Sequence, residues 1–220
     1  MHIVQRRILK ELALHRNLNF SDLRSPSVDS NRHAYHVKCL LQGGLIRLDS
    51  KGYNLTSSGR RFADRMSLPT LVDRIQPKIV TLLVCKRGED FLLYKRGREP
   101  FIGKIGFPYG KIHMGENIAS AAARELQEKT GVTAELVHRG DVYILVLEKD
   151  EIITHMLCHV FSGTYEIGEP IASEIGRCFW ARPEDISKKE FMPGFQEIGR
   201  LLKRRGRSLF FEEMTFDISK

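Results

Sequence analysis

The sequence predicts an α+β protein of two small domains, a mainly helical one over residues 1–70 and a larger one over residues 77–220 in which strands surround one well-marked helix. Three observations predict it. Apolar residues recur at helical spacing up to about residue 42 and in short alternating or continuous runs from Lys78 onward. A stretch with two prolines, SLPTLVDRIQPK at 67–78, separates the two patterns and reads as a linker, with 71–76 between the domains. Charge divides at the same place: residues 1–70 hold 12 Lys and Arg against 5 Asp and Glu, whereas the rest hold 23 against 22. With 220 residues, 42% of them apolar, the chain is long enough to bury two cores.

The same composition excludes several classes. No apolar run approaches the roughly 18 residues that span a bilayer, and the opening MHIVQRRILKELALHRN mixes charged with apolar residues instead of placing a basic segment before an apolar block. Neither a membrane span nor a secretory signal is expected. Cys39, Cys85, Cys158 and Cys178 are dispersed and form no CxxC pair, which points away from disulfides and zinc ribbons and toward a reducing cytoplasm. The basic excess in residues 1–70 suits a nucleic-acid-binding module, whose cations displace counterions from phosphates; a solvated basic face is the plainer alternative.

In the first domain Ile3, Val4, Ile8, Leu9 and Leu12 predict an amphipathic helix over roughly residues 2–15. Residues 17–23 read as a turn and a short second helix with Ser21 as N-cap. After Pro26 a third helix runs from about Ser30 to Gln42 and is stopped by Gly43 and Gly44. Leu45–Leu48 and Tyr53–Thr56 are short alternating strands around the turn 49–52, which makes a hairpin. Thr56 then caps a closing helix, Ser57–Met66, that carries Arg60, Arg61 and Arg65. This order, and the segment GLIRLDSKGYNLTSSGR in particular, resembles the winged helix-turn-helix domain of bacterial and archaeal regulators. The resemblance implies that the third helix enters the major groove of DNA while the hairpin touches the backbone. Asn31, Arg32, His33 and His36 would then meet base edges, and Lys38, Arg47 and Lys51 phosphates. Winged helices also serve as protein–protein modules, and His33 and His36 fit equally as half-buried histidines.

In the second domain the runs IVTLLVC and FLLYKR, joined by the turn 86–90, predict two strands. A Gly/Pro-rich loop, GREPFIGKIGFPYGKIHMGE, leads into NIASAAARELQEKTGV, a helix with Asn117 as N-cap, an Ala-rich body and Gly131 at its stop. Glu125 and Glu128 share one side of it, with Arg124 beside them. Carboxylates clustered next to a Gly-rich loop suit hard divalent cations that bridge to phosphate; a solvated charged face is the ordinary alternative.

Gly110, five residues, Glu116, seven residues, then Arg124-Glu125-Leu126-Gln127-Glu128-Lys129-Thr130-Gly131-Val132 resembles the Nudix box, G-x5-E-x7-R-E-U-x-E-E-x-G-U with U apolar, at every fixed position except one. On this match residues 77–220 are identified as a member of the Nudix hydrolase superfamily. The resemblance implies an α/β/α sandwich with a mixed sheet, and a site that binds or cleaves a nucleoside diphosphate linked to another group, ADP-ribose being one example. It also implies Mg2+ or Mn2+ held by the box glutamates. Carried over by position, Glu125 is a metal ligand or base, Glu128 a metal ligand, Glu116 an outer ligand or a structural acceptor, and Arg124 orients a carboxylate. Gly110 lets the backbone bend tightly around the site, and Lys111 and Arg96 are assigned to the ligand. The segment ASEIGRCFWARPEDI resembles the family's closing strand and turn, with Trp180 in the core.

The exception is Lys129, which stands where the family places the second glutamate of its pair. Losing a ligand charge and gaining an ammonium is a two-unit change, and at roughly 4 Å with an effective dielectric near 20 each unit interaction is of order 4 kcal/mol before desolvation. Either strong metal binding is lost, or Lys129 turns outward, or another carboxylate such as Glu151 or Glu174 completes the site. His155 and His159 alternate with Leu157 along a strand and have zinc-like spacing, although packing is the commoner role for such histidines. The tail GRLLKRRGR at 199–207 is a basic amphipathic stretch. The combined expectation is a homodimeric regulator that binds DNA through residues 1–70 and a nucleotide-type ligand through residues 77–220, with hydrolysis weakened or lost. The alternative is a working Mg2+- or Mn2+-dependent pyrophosphohydrolase.

Overall fold

The first helix, α1 (Ile3–Leu14), begins where His2 accepts a hydrogen bond from the Val4 N–H and the Gln5 side chain accepts one from the His2 N–H. Val4, Ile8, Leu9 and Leu12 form its buried stripe, as their spacing predicts. In this computed structural model residues 1–203 and 209–219 are described, and the chain divides into two units, Met1–Gln76 and Pro77–Lys220. In the first unit α2 (Ser30–Gln42) is capped by Asp29, whose carboxylate accepts from the Asn31 and Arg32 N–H groups. β1 (Ile46–Asp49) and β2 (Gly52–Leu55) pair antiparallel, and Thr56 accepts from the Gly59 N–H to start α3 (Ser57–Arg65).

Two expectations for this unit need correction. Residues 20–23 form turns and no second helix, so Ser21 caps nothing. Leu18 is drawn into a bridge with Tyr53 of β2, and the few residues left before Pro26 are too short a run to nucleate a helix. The stretch read as a linker is bound to the first core instead. Met66 is buried and bridges Asp73, and Arg6 of α1 donates to the Asp73 carboxylate at 2.8 Å and to the Leu71 carbonyl at 3.0 Å.

The second unit is organised around β3 (Lys78–Arg87). Val80, Leu82 and Val84 alternate with Thr81, Leu83 and Cys85, and both sets are buried, so the strand is covered on both faces. The other strands among the described residues of this unit are β4 (Asp90–Arg96), the short β5 (Ile105–Gly106) and β6 (Tyr109–Lys111), the long hairpin β7 (Val132–Glu148) and β8 (Glu151–Gly168), then β9 (Ala172–Ser173), β10 (Gly176–Ala181) and β11 (Phe210–Asp217). They form one mixed sheet in the order β11-β7-β8-β3-β4-β10-β9, with β6 beside β3 and β5 beside β4. On one face α4 (Ile118–Thr130) packs Ala122 and Leu126 against Leu83, Cys85 and Leu92. On the other, α5 (Phe195–Lys203) packs Phe195, Ile198 and Leu201 against Val80, Leu82 and Val84. Asn117 and Gly131 cap α4 as its sequence predicts, Gly131 in the left-handed region at φ 77°. Trp180 is half-buried on β10, edge-on to Tyr165.

β11 runs parallel to β7, pairing Phe210 with Gly140 through to Asp217 with Leu147. Gly140 has φ 144°, and a side chain there would collide with the Phe210 backbone. Residues 204–207 of the basic tail lie outside the described residues. No described helix is long and apolar enough to cross a membrane.

All four cysteines are free thiols. Burial pushes the Cys85 thiol up to about 11 and those of Cys158 and Cys178 to about 12, while Cys39 is half-exposed on α2. An aromatic disulfide reagent at about pH 8 is therefore expected to label Cys39 alone in the native chain, and all four thiols after denaturation. Rapid native labelling of a second cysteine would contradict this burial.

Candidate functional site

The box residues meet where α4 crosses β6. Gly110 of β6 lies directly under the Glu125 carboxylate, and an added Cβ would occupy the space that the carboxylate fills. Glycine is required there for close approach, and its backbone conformation is ordinary. Glu125 is 9% exposed, and its oxygens face two cations: Arg124 at 2.8 Å and Lys129 at 3.6 Å. Arg124 is the hub. It clamps Glu116 with two bonds of 2.7 and 2.8 Å, reaches Glu128 at 3.2 Å and donates to the Lys111 carbonyl. The Arg124 clamp and the His113 N–H hold the Glu116 carboxyl down at about 2. A depressed carboxyl pKa contributes stability above the unfolded value and loses it as pH falls, so this clamp persists through the ordinary carboxylate range and opens near 2.

Lys129 does not turn outward. Its ammonium hydrogen-bonds the Tyr109 carbonyl of β6, lies over the Tyr109 ring at 5.3 Å and has a side chain only 25% exposed. Burial lowers its pKa, while the neighbouring Glu125 carboxylate raises it. Nor does another carboxylate take the missing place: Glu151 is exposed at the β7–β8 turn opposite Glu148, and Glu174 is exposed between β9 and β10. Glu116 and Glu125 are thus engaged by nitrogen donors, leaving Glu128, 65% exposed, as the box acid most open to solvent. A Mg2+ or Mn2+ ion needs carboxylate oxygens free to coordinate it. As arranged, these residues do not fit one.

Beyond β6, on the α5 face, an apolar slot is lined by Leu82, Phe101, Phe107, Tyr109, Met156 and Met192, with Thr154 as a polar member. Its volume is about 50 Å³, room for a small apolar group and not for a whole base. Sequence reasoning missed this slot because its residues come from several separate elements and carry no motif. Arg96, expected to touch the ligand, is instead buried beneath the loop that follows β4. It donates to the Arg98 and Glu99 carbonyls at 2.9 and 3.2 Å and to the Tyr109 hydroxyl at 2.7 Å, so its guanidinium is consumed in shaping the loop. Lys111 is exposed. His155 and His159 do not come together: four residues along a strand separate them by about 13 Å. His155 packs on Tyr143, whereas His159 pairs with Asp141.

In the first unit Asn31, Arg32 and Lys38 are exposed on α2, and Arg47 and Lys51 on the hairpin. His33 and His36 cannot read bases, being 0% and 6% exposed. Their spacing with Val37 and Leu40 places them on the inner face of α2, where His33 meets Phe20 edge-on and His36 stacks on His2 at 4.3 Å. Among the described residues neither ring nitrogen of His33 makes a regular hydrogen bond, although the Phe20 backbone beside it favours the charged form. Burial lowers the pKa of both imidazoles, helped by Arg24 for His33 and by His2 and Arg32 for His36. A histidine whose folded pKa lies below its unfolded value of about 6.5 stabilises the fold above that pH and ceases to do so as pH falls through the folded value. Amide exchange in α2 of the full chain, corrected for intrinsic rate, should accelerate below about pH 6.5, and His33→Phe should flatten the dependence. A cleft of about 700 Å³ beside the hairpin gathers Arg16, Arg47, Lys51 and Arg60. The sequence reading did not name Arg16 and named Arg60 only as part of the closing helix, because only the fold brings the end of α1 and the first turn of α3 to the hairpin.

The NUDIX domain family matches residues 76–202. The chain is 32% identical over 127 residues to oxidized purine nucleoside triphosphate hydrolase of Mus musculus, covering 57% of this chain and 72% of that protein. To the protein of the same name from Danio rerio it is 34% identical over 115 residues, 52% of this chain and 70% of that one. Among solved structures, the mutator MutT protein of Bacillus halodurans superposes with a TM-score of 0.53 at 21% identity, over 64% of this chain and 91% of that chain. The MutT NUDIX hydrolase of Burkholderia pseudomallei gives a TM-score of 0.50 at 20% identity, over 59% and 100%. At these identities the structural likeness speaks for the fold of the second unit.

Proposed function

Since this chain belongs to the NUDIX domain family, we propose that its second unit binds a nucleoside phosphate but has largely lost the ability to cleave it, and that its first unit holds DNA. The observation that carries the reading is the Lys129 ammonium seated between the Tyr109 carbonyl and the Glu125 carboxylate, where it competes with a divalent cation. NUDIX hydrolases generally use a divalent metal such as Mg2+. The exposed Lys111 supplies a charge for phosphate. The order of α1, α2, hairpin and α3, together with the basic cleft, supports a winged-helix reading in which Arg32 and Lys38 approach DNA from α2 and Arg47 and Lys51 from the hairpin. Paired half-sites would require two copies of the chain.

Two measurements test this reading. Calorimetry with a panel of nucleoside triphosphates and dinucleotides should find a ligand that binds without Mg2+ and is recovered intact after incubation with Mg2+ or Mn2+. Gel shifts on duplex DNA should weaken steeply with salt, and Arg47→Ala or Lys51→Ala should each reduce the log–log slope by about one phosphate contact. Absence of DNA binding at low salt would remove the regulator reading. The names of the mouse and zebrafish relatives favour a second reading, an active hydrolase acting on a nucleoside triphosphate. Metal-dependent turnover by the native chain, abolished by Glu128→Gln, would establish it.

A further inference from the structure

We propose that His138 and Asp141 of β7 and His159 of β8 form a separate binding site for one zinc-type divalent ion. Regular alternation puts residues 138 and 141 on opposite faces of a strand, but the β7 register slips between His138 and Gly140 and turns both toward the α4 face. Asp141 is the direct cross-strand partner of His159, so three ligating side chains from two strands converge. One Asp141 oxygen lies 2.9 Å from His138 Nε2 and 2.7 Å from His159 Nδ1, and the three ligand atoms are all within 4.8 Å of one another. The edge of a tetrahedral zinc site is about 3.3 Å at zinc–nitrogen bonds of roughly 2.0 Å, so small side-chain rotations would let an ion replace the two hydrogen bonds.

The surroundings suit an ion as well. The side chains of His138 and Asp141 are 32% and 33% exposed and that of His159 13%, so the cluster is reachable from solvent and can leave a coordination position open. Thr81 pairs with His159 on its other side and shares its face; its hydroxyl is wholly buried and has no hydrogen-bond partner among the described residues, leaving a polar atom available to whatever enters. The next residue in this row is Gly110, under Glu125. The cluster therefore lies two strands, about 10 Å, from the box, too far for the box carboxylates to share its ion. Two imidazoles and one carboxylate select first-row ions such as Zn2+ and Co2+ over Mg2+, which prefers an all-oxygen octahedron. The inference stands whether or not the box has lost its chemistry.

Cobalt is the probe. Co2+ titrated into the full chain should bind with one equivalent and develop visible d–d absorption, which stoichiometric Zn2+ removes and millimolar Mg2+ does not. His138→Gln, Asp141→Asn and His159→Gln should each weaken binding about a hundredfold or more, whereas Glu128→Gln in the box should leave it unchanged. The partly exposed His138 keeps the test decisive if a change at the more buried His159 unfolds the sheet. Absence of the cobalt spectrum, its survival in both His138→Gln and Asp141→Asn, or its loss in Glu128→Gln would each overturn the proposal.

Discussion

Lys129→Glu is expected to raise metal-dependent hydrolysis well above that of the native chain. In the native arrangement the ammonium is 3.6 Å from the Glu125 carboxylate and bonded to the Tyr109 carbonyl. Replacing it with a carboxylate reverses the charge facing Glu125. With unit interactions of order 4 kcal/mol at such distances before desolvation, a net gain of roughly 2–4 kcal/mol in binding a divalent ion is reasonable, some tens to a thousandfold. Stability should show the opposite sign without metal. Arg124 would then be the cation facing four acids, Glu116, Glu125, Glu128 and the new carboxylate, so the second unit should melt earlier than native in chelator and regain stability in Mn2+, by about 2.7 kcal/mol at a hundredfold excess over the dissociation constant. Calorimetric melts with and without Mn2+, run beside a nucleotide hydrolysis assay, check both halves. Efficient Mg2+-dependent turnover by the native chain would refute the premise.

Arg124→Ala is expected to cost the second unit about 3 kcal/mol, because it strands carboxylates that are held away from water. The Glu116 and Glu125 side chains are 16% and 12% exposed, and Arg124 supplies the clamp on the first and the 2.8 Å pair to the second. It also ties the Lys111 carbonyl, so the loop before α4 should loosen with it. For a unit of this size the loss corresponds to a melting shift of roughly 10 °C. Arg124→Lys should recover a fraction of it, since an ammonium cannot reproduce the two-pronged bond to Glu116. A shift under about 2 °C for Arg124→Ala would mean that solvent already screens these acids.

The contrast between Arg124 and Lys129 shows what the sequence discloses and what it withholds. The box was legible because its residues sit at fixed intervals around one helix, and helical geometry then dictates which of them share a side. The direction of Lys129 was not legible. It depends on a carbonyl twenty residues earlier, presented by a three-residue strand. His33 and His36 went astray for another reason: their chemistry suggested base contacts, while the spacing with Val37 and Leu40 already placed them inside. Arg96 was misassigned because a charged side chain near a glycine-rich loop suggests phosphate, yet backbone carbonyls from the same loop satisfy its donors. His138 and Asp141 were hidden by the β-bulge, which breaks the two-residue alternation that strand reasoning relies on. Of the basic tail, residues 199–203 are the end of α5, and 204–207 lie outside the described residues.

The parallel pairing of β11 with β7 has a consequence for biosynthesis. Residues 210–217 leave the ribosome after every strand they join, so the flank of β7 from Gly140 to Leu147 spends that interval as an open template. A nascent chain paused before residue 210 would offer this flank to a sibling emerging from the same messenger. Slow synthesis of residues 210–217 would lengthen the time for which that edge stays uncovered.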